Sequence, residues 1–216
     1  MWSTRAVVRG VVASLSMLCP AFGAGPPDGA NWLSYFHRRD ARSQLRYLRG
    51  QEIDSTTEAP EGMQTPEALG EGMRYAKWST PMDPAGFRHV AFSSSTGTLF
   101  DRLAIDQNGD GRLDDDAVYE AYYVRSYGGG RGRGYFGPIE IRFAGDDGPI
   151  VYHLEVHVSR WSDENIDTRA MAACWYEGTV QIAGKSKPCQ LIDYNGNGTF
   201  NDVCDEQLRS DSADRI

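Results

Sequence analysis

Apolar and polar residues alternate along the C-terminal two thirds of the chain. Residues 139–143 alternate apolar with charged side chains, and residues 152–158 place four apolar side chains on one face. Successive side chains of a β-strand point to opposite faces, so both segments are predicted to be strands. Further predicted strands, each rich in β-forming residues and bounded by turn signals, are 87–92, 98–105, 117–124, 172–176, 179–183 and 189–193, with turns at 177–178 and 184–188.

Strands at this spacing predict a mainly β fold, an antiparallel sheet or sandwich-like domain over residues 74–216. Residues 24–73 follow a different pattern. Residues 32–49 carry apolar side chains among many arginines, which predicts a short N-terminal helix. Residues 50–72 hold Glu, Thr, Pro and Gly with little apolar content, which indicates a flexible linker or a long surface loop.

The first two dozen residues have the pattern of a secretory signal peptide. Arg5 and Arg9 precede a short apolar run at 11–18, and the small residues Ala21 and Gly23 follow it. A signal peptide over residues 1–23, cleaved near Gly23, predicts a secreted or periplasmic protein. No later apolar run approaches the ~20 residues of a membrane-spanning helix, so no membrane span is expected.

The charge balance narrows the class of partner. The chain has 22 basic and 30 acidic residues, for a net charge of −8, and loss of the signal peptide removes two arginines and no acid. An acidic surface argues against nucleic acid and anionic membranes as partners, and it suits the binding of cations. Whether the partner is a protein or a carbohydrate does not follow from the charge.

Three cysteines follow the signal peptide: Cys174, Cys189 and Cys204. Disulfides form in a secretory compartment, so one bridge is expected. A Cys189–Cys204 bridge is preferred, because it would close a loop of about 15 residues and contribute roughly 3 kcal/mol. A Cys174–Cys189 bridge is the alternative.

The segment at 106–116, called loop 1 here, places oxygen-bearing side chains at alternate positions and then a glycine. Calcium binds six to eight oxygens at ~2.3–2.6 Å, and such a loop aims the side chains of positions 1, 3 and 5 and the carbonyl of position 7 at one point. In loop 1 these are Asp106, Asn108, Asp110 and the carbonyl of Arg112. Asp114 or Asp115 would complete the ligand shell, and Leu113 at position 8 is expected to anchor the loop in the core.

The same pattern recurs 87 positions later in the segment at 193–202, called loop 2 here. A Leu/Ile-Asp lead-in precedes both loops. Loop 2 has fewer carboxylates, which predicts weaker calcium binding than in loop 1. Its candidate ligands are Asp193, Asn195, Asn197, Thr199, Asn201 and Asp202.

These two loops resemble the EF-hand calcium loop and, more closely, the β-flanked D-x-[DN]-x-D-G-x-x-D loops of integrin-like extracellular repeats. The resemblance covers about ten residues at each site, and it implies Asp114 and Asn201 as ligands at position 9. Position 12 is Ala117 in loop 1 and Cys204 in loop 2, where a true EF-hand has a bidentate Glu. A static structural calcium site is therefore expected, without the opening of a helix pair. The alternative is an acidic turn without a metal, because Asn, Asp and Gly favour turns.

Two other motifs have less specific explanations. His153 and His157 would lie ~13 Å apart on a strand, too far to share a zinc ion, so a solvated strand face is expected there. The glycine-arginine segment at 127–137 is similar to arginine-glycine segments of RNA-binding proteins, but in an acidic secreted chain it is interpreted as a flexible loop with Arg–acid contacts. No catalytic constellation is recognisable. We therefore expect a non-catalytic calcium-binding or structural module, with a secreted hydrolase stabilised by calcium as the alternative.

Overall fold

The computed structural model describes residues 5–8, 31–39, 50–146 and 148–200. Fourteen strands and one short 3-10 helix, Glu67–Leu69, lie within these residues. The strands are β1 (Arg5–Val8), β2 (Asn31–His37), β3 (Gln51–Ile53), β4 (Ser55–Thr56), β5 (Arg74–Ser79), β6 (Phe87–Ser93), β7 (Arg102–Ile105), β8 (Tyr119–Glu120), β9 (Tyr123–Gly128), β10 (Arg131–Phe143), β11 (Ile150–Arg160), β12 (Ile166–Ala172), β13 (Cys174–Ile182) and β14 (Lys185–Leu191).

The strands form three antiparallel sheets, which confirms the predicted mainly β fold. Their orders are β1-β2-β13-β14, β3-β12-β11-β10-β9 and β4-β5-β6-β7-β8. Most neighbours in these orders are also consecutive in the sequence, as expected where short turns join antiparallel strands. Sheet pairing therefore follows chain order, except where β2 reaches β13 and β3 reaches β12.

One hydrophobic core joins all three sheets. Leu33 of β2, Phe92 of β6 and Ile141 of β10 are fully buried members of the same cluster. The alternation predicted for 152–158 is confirmed on one face, because all four of its apolar side chains are buried. A second, smaller cluster of five buried residues lies beside it: Leu69, Tyr75, Ala91, Ala104 and Leu113.

The predicted N-terminal helix is wrong over its first part, where residues 31–37 form strand β2. Tyr35 and Phe36 are β-forming residues, and β2 pairs along its length with β13. Alternation buries Leu33 while leaving Phe36 exposed, and pairing with β13 outweighs the helical spacing of the apolar positions. Residues 40–49 lie outside the described part of the chain.

The linker predicted at 50–72 is wrong where it contains β3 and β4, which pair with β12 and β5. Ile53 and Leu69 are buried and Met63 packs against the smaller core cluster, so a few apolar side chains hold this segment on the sheets. The strand predicted at 98–105 begins only at Arg102, and the one predicted at 117–124 is divided between β8 and β9. The turn predicted at 177–178 is absent, because β13 runs through it.

The glycine-arginine segment is a β-hairpin, and the expectation of a flexible loop is wrong. β9 and β10 are joined at Gly129-Gly130, and both of these glycines have positive φ. Gly132 and Gly134 of β10 are buried where a side chain would meet Leu99 and the carbonyl of Phe100. The absence of side chains at Gly132 and Gly134 therefore allows β10 to pack closely against residues 99–100.

Cys174 and Cys189 are buried and neither takes part in a disulfide, so neither the preferred Cys189–Cys204 bridge nor the alternative Cys174–Cys189 bridge is formed. Cys204 lies outside the described residues, as does most of the predicted signal peptide at 1–23. β1, within that segment, pairs with β2. In the described part of the chain no helix is long and apolar enough to cross a membrane.

Candidate metal sites

Loops 1 and 2 occupy equivalent places in two hairpins. Loop 1 follows β7, the second strand of the β6–β7 pair, and loop 2 follows β14, the second strand of the β13–β14 pair. A strand was predicted to enter each loop, and this is confirmed. The structure describes loop 1 completely and loop 2 as far as Phe200; Asn201 and Asp202 lie outside the described residues.

Four hydrogen bonds from backbone N–H groups to side-chain oxygens shape loop 1. The carboxylate of Asp106 accepts two of them, one on each oxygen, and two further bonds each span two residues. The bonds run from Gly109 N to Asp106 Oδ1 (2.6 Å), Gly111 N to Asp106 Oδ2 (3.0 Å), Asp110 N to Asn108 Oδ1 (2.9 Å) and Arg112 N to Asp110 Oδ1 (2.9 Å).

Loop 2 repeats all four bonds at the same spacings. They run from Gly196 N to Asp193 Oδ1 (2.6 Å), Gly198 N to Asp193 Oδ2 (2.7 Å), Asn197 N to Asn195 Oδ1 (3.1 Å) and Thr199 N to Asn197 Oδ1 (2.9 Å). Asp106 and Asp193 are both buried, and the glycines at positions 4 and 6 of both loops have positive φ. The two loops therefore share one backbone conformation as well as one residue pattern.

The buried carboxylates differ in what balances them. Arg88 of β6 lies beside Asp106, with Nη1 3.3 Å from Oδ1, and its Nε lies 2.7 Å from Oδ2 of Asp83. The same guanidinium donates to the carbonyl of Arg142 and lies 5.1 Å from the ring centroid of Phe143. Loop 1 thus has a fixed cation of its own beneath the backbone.

Loop 2 has a neutral donor in the corresponding place. The hydroxyl of Tyr152 donates to Oδ2 of Asp193 at 2.8 Å. Burial raises the pKa of Asp193 to about 6, although that hydroxyl and the loop N–H groups act in the opposite direction. No basic side chain of the described residues forms an ion pair with Asp193. A carboxylate without a counter-charge in the core favours the approach of a cation.

The outer carboxylates of loop 1 have separate roles. Asp114 is held by the guanidinium of Arg112, at 2.6 and 2.9 Å, and is turned toward that side chain. Asn108 Nδ2 instead lies 3.3 Å from an oxygen of Asp110 and 3.3 Å from an oxygen of Asp115. Of the two candidate closing ligands, Asp115 is the one whose carboxylate lies beside the side chain of Asn108, another candidate ligand.

Asp116 is a third carboxylate that the sequence pattern did not single out as a ligand. One of its oxygens accepts from Gln107 N at 3.0 Å, and the other is buried without a hydrogen-bond partner. Burial, together with the charges of Asp106, Asp115 and Asp110, raises the pKa of Asp116 to about 6, although the hydrogen bond from Gln107 N acts in the opposite direction. These carboxylates therefore repel one another in the absence of a cation.

Position 8 anchors both loops. Leu113 is fully buried, as predicted, in the small core cluster, and its equivalent Phe200 is buried in the main core against Tyr176. Trp78 Nε1 donates to the carbonyl of Gly196 at 2.6 Å, and the Trp78 ring contacts those of Phe143 and Tyr152. One aromatic cluster therefore supports both buried aspartates.

Among the described residues no group of three or more His, Cys, Asp or Glu side chains is already arranged around a common metal position. The donor set of loop 1 fits a hard cation in kind, since it consists of carboxylate, amide and carbonyl oxygens. The orphaned oxygen of Asp116 adds one further donor. Closure around an ion would require the side chains of Asn108, Asp110 and Asp115 to turn from one another toward the ion.

A second buried polar group lies on the face of β11 that was expected to be solvated. This expectation is wrong, because His153, Glu155 and His157 are all at most 7% exposed. Nε2 of His157 lies 2.7 Å from Oε1 of Glu155, which also accepts from the hydroxyl of Tyr122 at 2.7 Å. The alternation along β11 correctly groups these three residues on one face. Their burial could not be predicted from it, because the residues that cover them, such as Tyr35 and Tyr122, belong to distant segments.

His153 belongs to a neighbouring part of the same face. Its ring stacks on that of His37, with centroids 3.8 Å apart, and its Nδ1 lies 2.9 Å from the hydroxyl of Tyr35. Burial, followed by the nearby His37, lowers the pKa of His153 to about 4. Burial raises the pKa of the adjacent Cys174 thiol to about 12, so this thiol is not a reactive thiolate at neutral pH.

No family model, curated protein or solved structure matches this chain.

Proposed function

We propose that the protein is a secreted or periplasmic calcium-binding protein, in which loops 1 and 2 are structural ion sites of a non-catalytic binding or structural module. Each bound ion would neutralise the clustered carboxylates and tie the end of β7 or β14 to the core. The proposal rests on chemistry and geometry of residues 106–116 and 193–202.

The observation that carries the proposal is the shared set of four hydrogen bonds in two loops 87 residues apart in the sequence. A simple acidic turn needs one Asx bond and one glycine. Two loops that repeat the spacing, the four bonds and the buried position-8 anchor require a common constraint. Convergence of oxygens on a cation is such a constraint, because it needs this alternation of side chains and this curvature.

Loop 1 is proposed as the tighter site. Arg88 balances part of the charge of Asp106, but Asp110, Asp115 and Asp116 remain without a basic partner within 4 Å in the described residues. Loop 2 has Asp193 and, outside the described residues, Asp202. Affinity rises with the number of charged ligands, and both sites are expected near the ~10⁻⁴–10⁻³ M range of extracellular modules.

Calorimetric titration of the chelator-treated protein with calcium tests the proposal. We expect heat of binding and a higher melting temperature, with Asp110→Ala weakening one site and Asn197→Ala weakening the other. Asp54→Ala, which removes an exposed carboxylate outside both loops, is the matched control and should change neither. Absence of both heat and thermal stabilisation would overturn the calcium assignment.

The alternative, a hydrolase with stabilising calcium, has one observation in its favour: the buried Glu155–His157 pair beside Tyr122. A substrate would need a cavity at this pair. Neither the cavity of about 210 Å³ beside Arg160 nor the one of about 890 Å³ on the β13–β14 surface is lined by Glu155 or His157. We therefore propose the non-catalytic function, and hydrolysis of ester or glycoside substrates that is lost in Glu155→Gln would contradict it.

A further inference from the structure

The exposed face of the β9–β10 hairpin combines arginines with aromatic rings. Tyr123 and Arg125 stand two residues apart on β9 and so share a face. Tyr127 follows at a β-bulge, with its ring centroid 5.3 Å from Arg125 Cζ, and all three residues are exposed. In the register of the two strands Arg133 lies opposite Arg125 and Tyr135 lies opposite Tyr123. Arg131 shares the alternation of Arg133 and is exposed. We call these six residues the β9–β10 patch, together with Trp161, which follows β11.

The arginines of this patch have no acidic partner in the part of the chain that the structure describes. Arg133 donates to the hydroxyl of Ser159 at 2.6 Å, and Arg131 makes one long contact, 3.5 Å, to the carbonyl of Gly128. No carboxylate of the described residues lies within 4 Å of Arg125, Arg131 or Arg133. Like charges directly opposite each other on neighbouring strands are destabilising, so the Arg125–Arg133 pairing is unfavourable without an anion.

This concentration of positive charge occurs on a protein with a net charge of −8. Acidic side chains are abundant in the sequence, yet none of those in the described residues forms an ion pair with these three arginines. The positive face attracts an anionic ligand, whereas the acidic remainder of the protein surface repels it. An anionic ligand is therefore directed to this face.

The aromatic rings of the patch form two pairs, a stacked pair of Tyr127 and Trp161 and a tilted pair of Tyr123 and Tyr135. The rings of Tyr127 and Trp161 are parallel within 5°, with centroids 5.5 Å apart, and Arg125 Cζ lies 5.3 Å from the Tyr127 centroid. Arg131 pairs with Gly128 and Gly132 pairs with Ser126, so Tyr127 has no partner on β10 and forms a β-bulge. Bulges redirect side chains, which accounts for the ring of Tyr127 lying against Trp161. Trp161 remains 40% exposed and Tyr123 54% exposed.

We propose that the β9–β10 patch binds an acidic polysaccharide, a chain of uronic-acid sugars, whose carboxylates pair with Arg125, Arg131 and Arg133 and whose rings pack on Trp161 and Tyr123. Arginine binds carboxylates through paired, charge-assisted hydrogen bonds. Amphipathic aromatic rings suit a ligand that is apolar on one face and hydrated on the other, as a pyranose ring is.

A sparsely charged polymer fits this patch better than a nucleic acid does. Three arginines on an acidic protein provide few phosphate contacts, whereas nucleic-acid affinity comes largely from many such contacts. A uronic-acid chain carries one carboxylate per sugar, which matches a few arginines interspersed with rings. The ring of Tyr127 is already covered by Arg125 and Trp161, so it does not offer a free slot between rings for a base.

Fluorescence titration of the full chain with octagalacturonate, in EDTA, tests the proposal independently of calcium. We expect saturable binding that weakens with salt, and about tenfold weaker binding for Arg125→Gln with Arg133→Gln and for Trp161→Ala. Lys185→Gln, which removes an exposed positive charge on β14, is the matched control and should bind as the unmodified chain does.

Three results would overturn the proposal. They are no binding of octagalacturonate at millimolar concentration, equal weakening in Lys185→Gln, and equal binding of a neutral glucan octasaccharide. Oligothymidylate and polyglutamate are titrated in parallel. Tighter binding of either one, lost in the same arginine variants, would assign the patch to nucleic acid or to an acidic peptide instead. Circular dichroism of each variant verifies that the fold is retained.

Discussion

Nη1 of Arg88 lies 3.3 Å from Oδ1 of Asp106 in the core beneath loop 1, with both side chains only 3% exposed. The corresponding aspartate of loop 2, Asp193, receives the neutral hydroxyl of Tyr152 instead. Two loops with one backbone conformation are therefore balanced differently, one by a permanent cation and one by a dipole. This difference determines how each loop should respond to mutation, pH and added cation.

Replacement of Arg88 by methionine should destabilise the protein strongly. The change leaves Asp106 and Asp83 buried without a counter-charge, and removal of one partner from a buried ion pair costs about 3–5 kcal/mol. Urea unfolding in EDTA measures this loss. Arg142→Met, which breaks an exposed pair with Glu140, should cost about 1 kcal/mol or less. If the two variants lose equal stability, Arg88 does not balance Asp106.

Calcium should recover part of the stability that Arg88→Met loses. An ion bound in loop 1 would supply the positive charge that the variant lacks, so its free energy of unfolding should rise more with calcium than that of the unmodified chain. An equal rise in both proteins would mean that the ion and Arg88 do not act on the same carboxylate.

Gly109 and Gly111 provide a matched pair of substitutions within loop 1. Both have φ near +80°, so alanine introduces similar backbone strain of roughly 1–2 kcal/mol at each position. A Cβ at Gly109 would also lie 2.4 Å from Nη1 of Arg88, whereas nothing lies within 4 Å at Gly111. Gly109→Ala should therefore destabilise more than Gly111→Ala in thermal unfolding. Equal losses would show that Arg88 moves aside at no cost.

The residues of the loops could be predicted from sequence because their chemistry is local. Alternating Asp and Asn, glycine at position 6 and leucine at position 8 specify a turn, and Leu113 is buried as that spacing predicts. The preference of Asp114 for Arg112, two residues away, could not be read in the same way. Both Asp114 and Asp115 fit the spacing, and only side-chain direction separates them.

Arg88 could not be predicted as part of the site. It stands 18 residues before Asp106, on a strand whose residue pattern indicates only which side chains are buried.

Contacts between segments far apart in the sequence also explain why the face of β11 was wrongly predicted to be solvated. His153, Glu155 and His157 alternate with apolar residues as on a half-exposed strand, but Tyr35 and Tyr122 come from remote positions to cover them. Strand β2 was mistaken for a helix for the same reason, because its partner β13 lies far along the chain.

Stability in EDTA should depend on the charge of Asp193. Burial raises the pKa of this carboxyl in the folded state to about 6, above its ordinary value of 3.8. As pH rises from about 4 to 6 the unfolded state releases its proton first, so the folded state loses relative stability, and the loss is complete above about pH 6. Two pKa units correspond to about 3 kcal/mol.

Comparison with Asp193→Asn isolates this effect. The variant is destabilised at every pH, because an amide cannot accept all the loop hydrogen bonds, but it has no carboxyl to titrate. The difference in unfolding free energy between the two proteins should therefore shrink by up to about 3 kcal/mol between pH 4 and pH 7.5. Asp116, whose pKa is also about 6, is present in both proteins and cancels in this difference. A difference that stays constant with pH would contradict the raised pKa.

His153 should produce the opposite dependence over nearly the same range. Its pKa is lowered to about 4 by burial and then by His37, so below pH 6.5 the unfolded state takes up a proton that the folded state refuses. The contribution of His153 to the free energy of unfolding is fully present above about pH 6.5. It is lost as the pH falls toward 4, by up to about 3 kcal/mol. His153→Gln keeps a hydrogen-bonding group opposite Tyr35 and should remove that loss.

The slopes of Asp193 and His153 oppose each other, and Asp116 adds the same background slope to the unmodified chain and to both single variants. Urea unfolding from pH 4 to 7.5 should therefore show that, relative to the unmodified chain, the stability of Asp193→Asn increases with pH and that of His153→Gln decreases with pH. His37→Gln should raise the pKa of His153, because the charge of the stacked His37 ring, 3.8 Å away, is the second cause that lowers it after burial. The free energy of unfolding lost at acid pH should then be smaller. A His153→Gln profile parallel to that of the unmodified chain would mean that this imidazole is protonated as easily in the folded state as in the unfolded one.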